Sequence, residues 1–162
     1  MMPTTKNIHL KILFSMLLLW ASFSCDQKKT EKKALSKNPN EITFMSLSNI
    51  GGDTGIYRII KVTKDSITAE KGITSQQAHR EWGAAMSSDT WKQLTASINV
   101  KDLDHIKSSP SQQPVDGIDE TFQIRTPKKS HIYVNSYVDT LHYKQFQQLK
   151  EQLDKILPKE YQ

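Results

Sequence analysis

The chain has 162 residues, with 22 Lys and Arg against 17 Asp and Glu, a formal charge of +5 and a single cysteine. One cysteine excludes an intrachain disulfide and a cysteine-based zinc cluster together. A chain of this size holds one hydrophobic core and is too short for two.

At the N-terminus, Lys6 and Lys11 precede the apolar run Ile12–Trp20, and small residues then lead to Cys25. This is the three-part layout of an export leader. A membrane-spanning helix needs roughly 20 apolar residues to cross a ~30 Å hydrocarbon layer, and this run is about half that length. The stretch Ala21-Ser-Phe-Ser-Cys25 resembles the lipobox of bacterial lipoproteins, with Ser24 as the small residue before the cysteine and Ser22 where a Leu is usual. The resemblance implies a signal peptide over residues 1–24 and a diacylated Cys25 as the first mature residue. An ordinary cleaved leader and a retained helix are the alternatives. Acyl chains contribute ~0.8 kcal/mol per buried CH₂, so several anchor stably where one does not.

Removing residues 1–24 leaves twenty basic against seventeen acidic residues, so the overall charge is a weak argument for an acidic partner. Residues 26–41 carry five lysines and lack apolar periodicity, which makes 25–41 a lipid-anchored tether. Its lysines are also suited to anionic head groups.

From Ile42 to Gln162 the pattern is that of a single α+β domain, an antiparallel sheet of four to six strands packed against a central and a C-terminal helix. Strands are expected over 42–48, 57–62 and 66–71, the last two joined as a hairpin by the polar turn Thr63-Lys-Asp65. A weaker strand covers 77–82. The period then changes: Ser87 or Ser88 caps a helix in which Trp91, Leu94 and Ile98 share a face. A short turn over 100–106 places Val100, Leu103 and Ile106 on one side before Ser109-Pro110 ends it.

Strands return over 121–126 and 131–137. Phe122 and Ile124 alternate with Gln123 and Arg125, while Ile132 and Val134 oppose Tyr133 and Tyr137. A terminal helix over 141–157 repeats Phe146, Leu149, Leu153 and Ile156 at spacings of three and four, the pattern of a face packed on the sheet.

Few segments are equipped for chemistry. Asn49–Gly55 is glycine-dense and could cradle an anion through its amides. It lacks the helix and lysine of a phosphate loop, so a strained turn is the simpler reading. The polar stretch 108–120 is a long connection. Asp116, Asp119 and Glu120 there offer oxygen ligands without EF-hand spacing, and carboxylates capping backbone amides are the competing reading. Long loops concentrate binding function, so Ser109 through Glu120 is the expected recognition surface.

His79, His105, His131 and His142 are scattered without the i,i+4 pairing of a zinc site; Asp102, Asp104 and His105 could form a weak metal patch, with surface charge on a short helical turn the simpler reading. No serine sits in a nucleophile elbow. Trp82, Tyr133 and Tyr137 offer aromatic surface for a glycan or protein, or else cover for the core.

Taken in order, the relaxed lipobox, Lys64-Asp65-Ser66-Ile67, Trp91-Lys-Gln-Leu94, Ile98 to Leu103, Ser109-Pro110-Ser111, Asp116-Gly117 and a final strand followed by a helix resemble small lipoproteins of Bacteroidetes, of the flavobacterial type. In place of an aromatic-Asp-His-Gly stretch the chain has Tyr137-Val-Asp-Thr140, keeping Asp139 but not the His and Gly. The resemblance strengthens the anchor and implies no activity. A non-enzymatic module at the cell envelope, binding a protein or glycan and tied to membrane lipid through Cys25, is the expected function. A structural accessory of an envelope complex and an unrecognised hydrolase are the alternatives. No cofactor, metal or nucleic-acid partner is expected. An exposed apolar groove would favour binding; an open edge strand on a polar surface would favour assembly by strand addition; a pocket joining a nucleophile to a histidine would favour hydrolysis.

Overall fold

Alternation of apolar residues builds six strands: β1 (Phe44–Gly51), β2 (Ile56–Thr63), β3 (Ser66–Ile73), β4 (Ala78–Ala85), β5 (Ile118–Arg125) and β6 (Ser130–Val134). They form one antiparallel sheet in the order β4-β3-β2-β1-β5-β6. Four strands run as a meander, and the chain then crosses back to add β5 on the free side of β1. The crossing segment carries helix α1 (Ser88–Ala96), and the C-terminal helix α2 (Lys144–Ile156) follows β6. The computed structural model describes residues 38–162, so the leader, Cys25 and most of the expected tether lie outside the described residues.

The register aligns side chains into cross-strand rows on the face that receives the helices. In the first row Ile67, Val62, Met45 and Ile124 stand in line, and in the second Ala69, Ile60, Leu47, Phe122 and Tyr133 do so. All nine are buried. Phe146 of α2 stacks on Phe122 with ring centroids 4.3 Å apart, and Leu149 and Leu153 follow on the same helical stripe. Fully burying each such side chain contributes ~1.5–3 kcal/mol, which holds α2 to the sheet. Beyond α2 a 3₁₀ turn (Lys159–Tyr161) brings Tyr161 against Trp82, centroids 6.4 Å apart, closing the core near the β4 edge.

Helix α1 starts as its sequence requires: the Ser87 hydroxyl accepts the Thr90 amide at 3.1 Å, satisfying an amide that the first turn leaves without a partner. It ends at Ala96, two residues before Ile98, which is buried from the following loop. The weakly patterned segment expected over 77–82 is a full eight-residue strand whose alternation is muted because it forms a sheet edge.

Several boundaries depart from the sequence pattern, the first strand among them, which runs Phe44–Gly51 rather than 42–48. The last strand ends at Val134, because Asn135 adopts a left-handed conformation (φ 49°) and turns the chain into a 3₁₀ segment (Ser136–Val138). Tyr137 therefore lies outside the strand and shares no sheet face with Tyr133, which points into the core opposite Ile132. Helix α2 begins at Lys144, three residues later than its periodicity suggests. The connection 108–120 is not structureless: a 3₁₀ turn covers Gln113–Val115, and Asp119 and Glu120 belong to β5.

Candidate functional site

The two acids expected in a recognition loop face inward. Asp119 is 6% exposed and accepts the Ser111 hydroxyl (2.5 Å), the Gln112 amide (2.7 Å) and the Asn135 side-chain amide (2.7 Å). Burial raises its pKa, but these three donors together outweigh burial and hold it below the usual carboxylate value. Glu120 is 7% exposed, accepting the Tyr143 hydroxyl at 2.6 Å and Lys150 at 2.5 Å. Asn135 links the two acids: its backbone amide donates to the Glu120 carbonyl, and its side-chain oxygen accepts the Glu120 amide. This network pins the start of β5 and the end of β6 to α2; of its carboxylates only Asp119 caps a backbone amide, that of Gln112, while Glu120 is held by side-chain donors.

Ser109 donates its amide to the Val134 carbonyl while the Ser108 hydroxyl accepts the Val134 amide, so this part of the loop covers the β6 edge. Asp116 and Val115 remain exposed at the tip. Asp139 caps its own turn, accepting the amides of Lys107 and His142 and the His142 ring at 3.0 Å. Burial opposes its ionisation, yet these hydrogen bonds bring its pKa down to about 2.

Among the aromatics, Tyr133 is 5% exposed and donates its hydroxyl to the Leu103 carbonyl; burial raises its pKa well above normal. Trp82 is half-buried against Tyr161, and Tyr137 is 41% exposed, accepting Gln112 at 2.7 Å. The three do not come together into one platform. The glycine-rich segment is a turn with positive φ at Gly51, Gly52 and Gly55. Its Gly52 and Gly55 amides donate to the carbonyls of Gly117 and Gly52, leaving neither for an anion.

Beyond the core, the register assembles rows for which no local sequence pattern is a signal. Next to the two buried rows, Arg80, Lys71, Arg58, Asn49 and Glu120 form a polar row on the same face, and Ala78, Ile73, Ile56, Gly51 and Ile118 form an apolar one beyond it. Ile56 and Ile118 are 43% and 44% exposed, so this end of the face is uncovered. Over β2, β3 and β4 the two rows border a recess of about 560 Å³, to which Ile56, Ile73 and Ala78 contribute apolar lining and Arg58, Lys71 and Arg80 basic lining, with Tyr57, Gly72, Gln77 and His79 completing it. We call this recess the shelf.

The three cations differ in freedom. Arg58, with 20% side-chain exposure, donates Nε to the Tyr161 carbonyl at 2.7 Å and pairs with Asp154 at 3.1 Å. Lys71 donates to the Glu160 carbonyl and lies over the Tyr161 ring, 5.4 Å from its centroid. Arg80 is exposed, and its side chain makes no hydrogen bond or ion pair among the described residues. No carboxylate lines the recess. The shelf is therefore positive at its border, with two cations positioned by the C-terminal turn and one available.

On the opposite face, the Tyr57 hydroxyl meets His79 Nδ1 at 2.6 Å and His79 Nε2 meets Glu81 at 2.8 Å. The ring of Tyr57 passes over Gly72, where an added Cβ would lie 2.4 Å from the hydroxyl. His79 and Glu81 are 45% and 68% exposed, so water shares this chain. It straps β2 to the β4 edge across a strand that has no side chain in the way.

No protein-family model matches the chain, and no curated protein matches it. Among the described residues no group of three or more His, Cys, Asp or Glu is placed to hold a metal ion, and no helix is long and apolar enough to cross a membrane.

Proposed function

We propose that the protein is an envelope lipoprotein, anchored through Cys25, whose folded domain is a non-enzymatic binding module with the shelf as its binding surface. The observation that carries this reading is the pairing of an uncovered apolar row with a basic row in one recess of about 560 Å³. Recesses of this size suit ligands, and apolar floors with a few placed polar groups are their usual lining. The domain itself is nearly neutral, with fifteen basic against fourteen acidic residues over 42–162, so three cations side by side are a local feature rather than a consequence of net charge. The export leader and single cysteine support the envelope location.

The accessory reading has one observation in its favour. Strand β4 is an eight-residue edge with almost every residue exposed, and such an edge accepts an added strand. His79, Arg80 and Glu81 put polar and charged side chains along it, the usual protection against unspecific pairing. Hydrolysis draws less support, because His79 and Glu81 are 45% and 68% exposed and the Tyr57–His79–Glu81 chain is shared with water.

The binding role is tested by immobilising the protein and exposing it to detergent-solubilised envelope extract, with proteins, glycans and small molecules recovered and measured. Arg80→Glu and Ile56→Glu are each expected to reduce recovery of a retained component severalfold, whereas Val115→Ser at the loop tip leaves it unchanged. A retained set indifferent to both shelf substitutions contradicts the assignment.

A further inference from the structure

We infer that the shelf takes a free, single-chain anionic amphiphile, with its acid group on Arg80 and Lys71 and its apolar body on Ile56, Ile73 and Ala78. The inference rests on the binding role proposed above and names the ligand class for that site.

Charge complementarity selects the sign. Arg58, Lys71 and Arg80 face the recess and no carboxylate lines it. Asp154 offsets Arg58 from the helix side, which leaves Lys71 and Arg80 as the uncompensated pair. Neighbouring strands lie about 4.8 Å apart, so the cationic row spans about 10 Å across β2, β3 and β4. One carboxylate or phosphate group is within reach of two of these cations at once. The guanidinium of Arg80 offers a planar pair of donors to such a group, and Lys71 retains donors beyond the one given to Glu160.

Register sets the shape. The apolar row lies two residues further along each strand, about 7 Å from the basic row. A ligand with charge at one end and hydrocarbon adjoining it matches both rows, whereas a small inorganic anion leaves the apolar floor in water. Tyr57, Gln77 and His79 also line the recess, with the Tyr57 and His79 rings stacked 6.1 Å apart and Trp82 engaged by Tyr161, so a glycan finds polar contacts there but has no hydrocarbon to match the apolar row. A bilayer is a poorer fit than a single molecule. The site is recessed, whereas insertion between head groups needs an apolar surface that projects.

The test is a titration of the full mature chain followed by ¹H–¹⁵N spectra, with decanoate, decanol and decyltrimethylammonium each kept below micelle-forming concentration, and with anionic vesicles as a separate arm. Decanoate is expected to shift the amides of residues 56–58, 71–73 and 77–80, and decanol to bind at least about tenfold more weakly. Arg80→Gln, a change at an exposed edge position, should weaken decanoate by about tenfold while leaving decanol unaffected. Ala78→Glu should abolish decanoate binding by placing a carboxylate on the floor. Equal binding of decanol and decanoate, a preference for the cation, shifts elsewhere in the domain, or binding to vesicles alone would each overturn the inference. If decanoate fails while the shelf substitutions still release an envelope component, only the ligand class falls; if both fail, the binding role falls with it.

Discussion

His131 shows how one buried side chain links this fold to pH. Its side chain is 7% exposed, and Nδ1 lies 3.5 Å from Asp104. Burial, and then the neighbouring charge of Lys129, hold its pKa below the ordinary histidine value, while Asp104 pulls the other way. The folded state therefore prefers the neutral ring. A group whose folded pKa lies below its unfolded value, about 6.5 for histidine, contributes fully above that value and loses its contribution as pH falls through the folded pKa. Resistance to urea should accordingly decline from about pH 7 towards pH 5, and His131→Gln should flatten that slope. A wild-type midpoint that rises on acidification would show the sign to be wrong. Asp139 acts in a separate window: with a folded pKa of about 2, its contribution is full above about pH 4 and is lost only below it.

At the scale of elements, most of the fold was legible because it rests on local periodicity. Phe122 and Ile124 alternate with polar neighbours, and both are fully buried; Phe146, Leu149 and Leu153 mark the buried stripe of α2. Leu149→Ala should cost about 2–5 kcal/mol in equilibrium denaturation, as buried leucines do, while Gln148→Ala on the exposed side should stay within about 0.5 kcal/mol. Similar small effects at both positions would mean that α2 does not pack as described. What escaped the sequence depends on contacts between distant segments. Asp119 and Glu120 follow a glycine in a polar stretch and look like loop residues; their burial comes from Asn135, Tyr143 and Lys150, 15 to 30 positions away. The shelf was equally hidden, since Arg58, Lys71 and Arg80 are ordinary alternating strand residues until the register puts them side by side.

At the scale of the whole molecule, the two helices cover only part of one sheet face, and the uncovered end carries the basic and apolar rows. That division gives the domain a stable core and, at its margin, a surface with unused binding capacity. The proposed non-enzymatic role at the envelope would join this surface to the N-terminal leader and to Cys25, which lie outside the described residues. If the account holds, the mature protein begins at the one residue whose chemistry can tether it. The most direct measurement of that claim is the intact mass of the protein extracted from membranes. The account predicts a chain beginning at Cys25 that carries the added mass of several acyl groups; a chain starting at any other residue, or one beginning at Cys25 without that mass, would contradict it.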